Sequence, residues 1–282
     1  MSRPTVTRFA PSPTGHLHLG HAHSALFGWR TAGAAGGRFL LRIEDIDAGR
    51  CRPAFERDLI EDLRWLGLSW PEPVRRQSEH AADYRMALDR LEALGVLYPC
   101  FCTRKEIEAE IARAGAAPHG PDGPLYPGTC RTLDPAERRA RLAAGERPAL
   151  RLDTAAALVR TGPLVWRDRA AGTVAARPDL LGDVVLARKD VPTSYHLSVT
   201  LDDALQGVTL VTRGIDLFPA THVHRLLQAL LGLDVPEYHH HPLLTDQTGR
   251  RLAKRDGALS LRALRMAGHD AAAVRAMAGF PD

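Results

Sequence analysis

From Thr5 to Ala10 the chain alternates β-branched or aromatic residues with polar ones, which predicts a short strand. Pro11, Pro13, Gly15 and Gly20 then break the pattern into a loop. From His21 to about Ala35, Ala22, Ala25, Leu26 and Trp29 recur at helical spacing, and Gly36 and Gly37 end the run. Phe39 to Ile43 is a short apolar run of the kind a buried strand carries. After Pro53, Phe55, Leu59, Leu63 and Leu66 share one helical face; a further helical pattern, Tyr84, Leu88, Leu91 and Leu94, stops at Gly95. Strand, helix, strand, helix is the order of a parallel α/β sheet.

The pattern changes near Pro99. Residues up to Arg131 hold a cysteine cluster, a short charged helix and the linker GAAPHGPDGPL, which together suggest an insertion. From Ala149 to Ala187 short apolar runs alternate with turn signals and predict an antiparallel patch. Alternating α/β character returns with VTLVTRG, a helix around His222 to Leu231, and the run YHHHPLLTD. The expected organisation is therefore 1–98 and 191–245 as two halves of a nucleotide-binding core, 99–190 as an inserted subdomain, and 246–282 as a basic loop with a short helical tail. Internal repeats and heptads are absent from the sequence.

Composition narrows the class only mildly. Of 282 residues, 45% are apolar and 25% charged, the profile of a globular protein. No apolar run approaches the roughly 20 residues that span a bilayer, and MSRPTVTRFAP lacks a signal core, so a cytoplasmic protein without a membrane partner is expected. A net charge of +4 permits an anionic partner such as tRNA without requiring one. Of the four cysteines, Cys51 stands alone and Cys100, Cys102 and Cys130 cluster. In a reducing compartment that cluster suggests a thiolate metal site. Three thiolates and one further donor complete a tetrahedral zinc shell, with Tyr126 and His119 as alternatives for the fourth. Four protein ligands leave no open position, so such a zinc is structural. The run His239-His240-His241 does not suggest a second site, because consecutive strand residues point to opposite faces.

The richest stretch is RFAPSPTGHLHLGH, Arg8 to His21. It leads from a strand through a glycine-containing loop into a helix, an arrangement that suits a phosphate at the helix N-terminus. His18 and His21 can donate to phosphate oxygens as charge develops, and Gly20 lets a nucleotide approach the backbone. RRLAKR, read alone, is a basic loop.

His18-Leu19-Gly20-His21 is similar to the first signature of class I aminoacyl-tRNA synthetases. The blocks Phe39–Arg50, Ser194–Leu217 and Arg251–Arg255 resemble the glutamyl branch in order along the chain. The resemblance implies the Rossmann-like class I catalytic core and ATP as substrate, with Mg²⁺. Lys254 matches the lysine that meets the ATP phosphates, although Arg251 and Ala253 depart from the family pattern. A glutamate substrate must keep its α-carboxylate free, so its side-chain carboxylate needs a cation, and arginine offers a bidentate fork. Arg8 and Arg213 end strands, Glu44 can take the ammonium, and Tyr195 and Ser12 can add hydrogen bonds; the resemblance puts the glutamate pocket on the same positions. A plainer alternative pairs Arg8 with Glu44 across adjacent strands. The resemblance also favours Tyr126 over His119 as the fourth zinc ligand.

The chain ends soon after the Lys254 loop, with the tail LRALRMAGHDAAAVRAMAGF, and so resembles the truncated glutamyl-queuosine group of that branch. That implies a monomeric ligase that forms glutamyl-adenylate without tRNA. It then transfers glutamate to the queuosine base at the first anticodon position of tRNA(Asp), reading the anticodon stem-loop. The rival expectations are a short synthetase that charges the tRNA 3′ end, and a small-molecule nucleotidylyltransferase sharing the H-x-G-H loop.

Overall fold

A computed structural model describes residues 3–114, 119–121, 123–245 and 260–281. The first half of the core runs β1 (Val6–Phe9), α1 (Leu19–Ala34), β2 (Arg38–Ile43), α2 (Pro53–Trp65) and β3 (Arg75–Arg76). β1, β2 and β3 pair in parallel, as expected when helices connect strands. The chain continues through α3 (Ala81–Ala93), β4 (Leu97–Cys100), α4 (Arg104–Ala114), β5 (His119–Gly120), β6 (Gly123–Pro124), α5 (Pro135–Ala143), β7 (Ala149–Leu152) and α6 (Thr154–Thr161). β8 (Val165–Asp168), β9 (Gly172–Ala175) and β10 (Val185–Ala187) follow. The second half holds α7 (Tyr195–Leu205), β11 (Leu210–Gly214), α8 (Ala220–Leu231) and β12 (Glu237–His241), and the tail forms α9 (Leu261–Met266) and α10 (Ala271–Met277).

The two halves meet where β11 runs beside β1: the Thr209 amide donates to the Val6 carbonyl at 3.0 Å, and the Val6 amide donates to Thr209 Oγ1 at 2.8 Å. β11 and β12 pair in parallel with Arg213 opposite His240. Chain order thus reverses direction across the sheet between β1 and β11, and the carboxyl ends of the strands at that crevice are where open α/β sheets hold ligands. Between the halves, β7 pairs antiparallel with β4 and β10, and β8 with β9, so the antiparallel patch is present. Its β8–β9 hairpin also extends the main sheet, because β8 lies parallel to β12 at Asp168 and Tyr238.

The two largest apolar cores among the described residues hold most of the buried apolar side chains. In one, Ala22, Ala25 and Leu26 of α1 pack with Leu41 and Ile43 of β2 and Leu59 and Leu63 of α2; the tail adds Leu261, Leu264, Val274 and Ala278. The tail is therefore part of the first half's core. Polar contacts add to this packing, among them Arg275 donating to the Leu66 carbonyl at 3.2 Å and His23 Nδ1 to the Ala278 carbonyl at 2.8 Å. The other core joins Leu88 and Leu91 of α3, Leu197 of α7 and Val223, Leu226 and Leu227 of α8. Each such buried leucine contributes about 1.5–3 kcal/mol relative to exposure. Among the described residues, no helix is long and apolar enough to cross a membrane.

Candidate active site

α1 begins at Leu19, two residues before the apolar pattern suggests, because His18 is its N-cap. The Gly20 amide donates to His18 Nδ1 at 3.1 Å, and the His18 amide donates to His21 Nδ1 at 3.2 Å. Histidine is not among the usual capping residues, so no local pattern marks this reciprocal cap. Both contacts make Nδ1 an acceptor, which puts each ring's proton on Nε2 and makes each Nε2 a donor. The rings lie 3.8 Å apart between centroids. Gly20 is fitted by close approach: a Cβ there would stand 3.1 Å from His18 Cε1.

This histidine turn opens on a cavity of about 240 Å³ at the carboxyl ends of β1, β2 and β11. His18, Gly20 and His21 line it together with Arg8, Glu44, Tyr195 and Arg213. Ser12 does not. Ser12 is exposed, between the buried Pro11 and Pro13. Lys254, with the rest of RLAKR, lies outside the described residues. The described chain on both sides of it reaches the site: Leu243 and Leu244 line the cavity, and Ser260 forms a bridge with His18. The Leu261 amide completes that contact by donating to the Leu17 carbonyl at 2.8 Å.

Beneath the cavity lies a buried charge network. Arg8 forms a two-point ion pair with Asp203, Nε to Oδ1 at 2.9 Å and Nη2 to Oδ2 at 3.2 Å, and donates from Nη1 to the Thr212 carbonyl at 3.1 Å. Arg42, fully buried, donates to Asp203 at 2.8 Å and to Glu44 at 3.2 Å. The alternative of an Arg8–Glu44 ion pair is thus replaced: β2 brings Arg42 and Glu44 to one side of the sheet, two residues apart, and Arg8 reaches α7 instead. Burial raises the Glu44 carboxyl above its usual value against the pull of Arg42 and Arg8. Burial would raise Asp203 too, but Arg8 and Arg42 outweigh it and hold the carboxyl below the usual range. Asp202, beside it, accepts from Arg75 and Gln77 at 2.8 Å each and from the Tyr84 hydroxyl at 3.0 Å. Asp202, Asp203 and Arg42 were missed in the sequence. Their one signal is two adjacent aspartates in the otherwise apolar helix LSVTLDDAL, which demand buried cations.

Arg213 also lines the cavity. It donates from Nε to His240 Nε2 at 3.1 Å, from Nη1 to the Tyr195 hydroxyl at 3.3 Å and His224 Nδ1 at 3.2 Å, and from Nη2 to Thr221 Oγ1 at 2.5 Å. Burial, then the neighbouring Arg213, pushes His240 down to about 4, so it is a neutral acceptor. Strand alternation separates the three histidines as expected: His240 packs on Tyr238 and Trp166, while His239 and His241 pack on Phe27.

The cysteine cluster lies apart from this cavity. The sulfurs of Cys100, Cys102 and Cys130 lie within 4.8 Å of one another, and the Tyr126 hydroxyl is 3.4 Å from Cys100 Sγ and 3.5 Å from Cys102 Sγ. Tetrahedral zinc with Zn–S near 2.3 Å sets sulfurs ~3.8 Å apart, so this donor set fits that ion. Burial and the neighbouring thiols push Cys102 up to about 11. Burial opposes ionisation of Cys130 as well, but donation from the Tyr126 hydroxyl and Phe101 amide outweighs it and lowers that thiol. The Arg151 guanidinium lies 3.8 Å over the Tyr126 ring. The side chain of His119 lies outside the described residues.

The chain matches the family model described as tRNA synthetases class I (E and Q), catalytic domain, over residues 4–279. A curated protein from Rhodobacter capsulatus, glutamyl-Q tRNA(Asp) synthetase, is 53% identical over 280 residues, covering 98% of this chain and 100% of the relative. Its counterpart from Symbiobacterium thermophilum is 48% identical over 93% of this chain and 81% of the relative. The crystal structure of glutamate-tRNA synthetase from Elizabethkingia anophelis superposes with a TM-score of 0.83 at 27% identity; the match covers 98% of this chain but 61% of that longer chain.

Proposed function

We propose, from the premise that this chain belongs to the class I tRNA synthetase (E and Q) family and to its glutamyl-Q tRNA(Asp) synthetase branch, that it activates L-glutamate with ATP in the absence of tRNA and passes it to queuosine in the anticodon of tRNA(Asp). The chain is a ligase of the aminoacyl-tRNA synthetase type. One observation carries the proposal: the two Nε2 donors of the histidine turn and the Arg213 guanidinium line one cavity.

In the first step an oxygen of the glutamate α-carboxylate attacks the ATP α-phosphorus. The new P–O bond forms as the bond to pyrophosphate breaks. His18 and His21 donate to the phosphate oxygens that gain charge, and Gly20 leaves room for them. Arg213 and the Tyr195 hydroxyl hold the side-chain carboxylate, with Arg8 adding positive field from the cavity wall. Glu44 takes the ammonium; a cation beside it restores the ionised form that burial opposes. Lys254 offsets charge on the β- and γ-phosphates. Mg²⁺, when bound to ATP, further offsets phosphate charge. Catalysis here is positioning and electrostatic stabilisation. In the second step a hydroxyl of the queuosine ring attacks the mixed anhydride and AMP leaves. Cys100, Cys102, Tyr126 and Cys130 would hold a structural zinc, which would tie the inserted segment together. The protein works in the cytoplasm, where tRNA is found.

Transfer of labelled glutamate tests the acceptor. Label should appear on tRNA(Asp) carrying queuosine and not on the same tRNA lacking it. Equal labelling of both would instead favour charging at the 3′ end.

A further inference from the structure

Arg213 is held by more than its strand. Four of its five N–H groups meet acceptors among the described residues: His240 Nε2, the Tyr195 hydroxyl, His224 Nδ1 and Thr221 Oγ1. Of these, only His240 is itself fixed by a buried anion. Its Nδ1 lies 2.7 Å from Asp168 Oδ2, which also accepts the His240 amide at 3.2 Å. Asp168 Oδ1 accepts the amides of Ala170 and Ala171 at 2.8 and 2.9 Å. His240 and Asp168 are 0% and 1% exposed, so solvent cannot substitute for either.

We infer that Asp168 and His240 are positioning residues for amino-acid selection: the carboxylate dictates the His240 tautomer, and that tautomer aims Arg213 at the substrate. The chemistry follows from the two ring nitrogens. A carboxylate facing Nδ1 requires the proton there, which leaves the Nε2 lone pair toward Arg213 Nε–H. The Thr221 hydroxyl, 3.3 Å from Nε2, is a second donor facing the same lone pair. The opposite tautomer would set N–H against N–H at 3.1 Å and swing the guanidinium away. With Nε, Nη1 and one Nη2 hydrogen engaged, a single N–H on Nη2 remains to meet a ligand, together with the Tyr195 hydroxyl proton. A planar fork restrained on three atoms presents that donor at one angle, which a shorter acidic side chain or a neutral amide would not match.

The inference rests on Arg213 as the cation for the substrate's side-chain carboxylate, so the test carries Arg213→Ala as its reference. The readout is ATP–pyrophosphate exchange by the intact chain, with KM for glutamate and for ATP measured separately. His240→Asn keeps a donor for Asp168 and removes the acceptor for Arg213. Asp168→Asn turns an amide donor toward Nδ1 and inverts the tautomer. Each should raise KM for glutamate by ~10-fold, the scale of one lost hydrogen bond to a charged group, and leave KM for ATP within ~2-fold. His240→Gln, which returns an oxygen to the Nε2 position, should recover most of the loss. If Arg213→Ala itself leaves KM for glutamate unchanged, the reading of Arg213 fails and the inference falls with it. If Arg213→Ala raises it and both His240→Asn and Asp168→Asn do not, the inference alone fails. A parallel rise in both KM values, or no recovery in His240→Gln, marks a purely structural role and overturns it.

Discussion

Asp203 holds Arg8 by two parallel contacts, 2.9 Å to Nε and 3.2 Å to Nη2, across 195 residues of sequence. The pair fixes one wall of the cavity and joins α7 to β1, so the second half of the core is tied to the first by charge as well as by the sheet. Asp203 Oδ1, which accepts from Arg8 Nε, also accepts from Arg42 Nη1 at 2.8 Å.

Removing that carboxylate leaves two cations buried with one shared partner fewer. Asp203→Ala should cost about 3–5 kcal/mol of stability in denaturant unfolding, the usual result of breaking a buried pair from one side. A loss below about 1 kcal/mol would mean that Arg8 and Arg42 find water or other partners when Asp203 is gone.

The dual duty of His18 separates fold from chemistry. Asparagine is a good N-cap and can accept from the Gly20 amide, but it lacks the Nε2 donor. His18→Asn should therefore keep the melting temperature within a few degrees while lowering kcat for adenylation by ~10²–10³, the scale of one lost oxyanion donor. Thermal melts and exchange kinetics on one preparation check both. A stable variant with undiminished kcat would remove His18 from the phosphate site.

The α/β order, the helix faces and the cysteine cluster were legible because each is written in local spacing. Leu59 and Leu63 lie on one face of α2 by period alone, and C-x-C with a later cysteine is a local pattern. What local spacing cannot carry is long-range pairing. Arg42 looks like any strand arginine until α7 supplies Asp202 and Asp203, and the partner of Arg8 comes from a helix rather than from the neighbouring strand. Lys254 lies outside the described residues.

Acid should destabilise the protein from the second half of the core. Burial, with Arg213 second, pushes His196 down to about 4, and the same causes do so for His240. The unfolded chain binds their protons from its ordinary value of 6.5 downward, whereas the folded chain resists until about 4. Their contribution is thus complete above pH 6.5 and is lost as pH falls through that window to 4. Melting temperatures measured from pH 7 to 4 should fall for the native chain, and the slope should flatten in His196→Gln. An unchanged slope in that variant would place the acid sensitivity elsewhere.

Metal analysis of the purified protein should give one zinc per chain. A strong chelator or Cys102→Ser should remove it and lower the melting temperature by roughly 5 °C or more, because the ion stabilises only the folded arrangement of its ligands. Metal-free protein with an unchanged melt would show that the thiols and Tyr126 pack without an ion.

The central claim is that one cavity brings an amino-acid carboxylate and the ATP α-phosphate together. Glutamate-dependent ATP–pyrophosphate exchange, run without any tRNA, tests it most directly. The account predicts exchange that saturates with glutamate, is absent with glutamine, and drops at least tenfold in Arg213→Ala, in line with about 1.5–3 kcal/mol for a charge-assisted bond. Exchange that proceeds without glutamate, or that Arg213→Ala leaves intact, would contradict it.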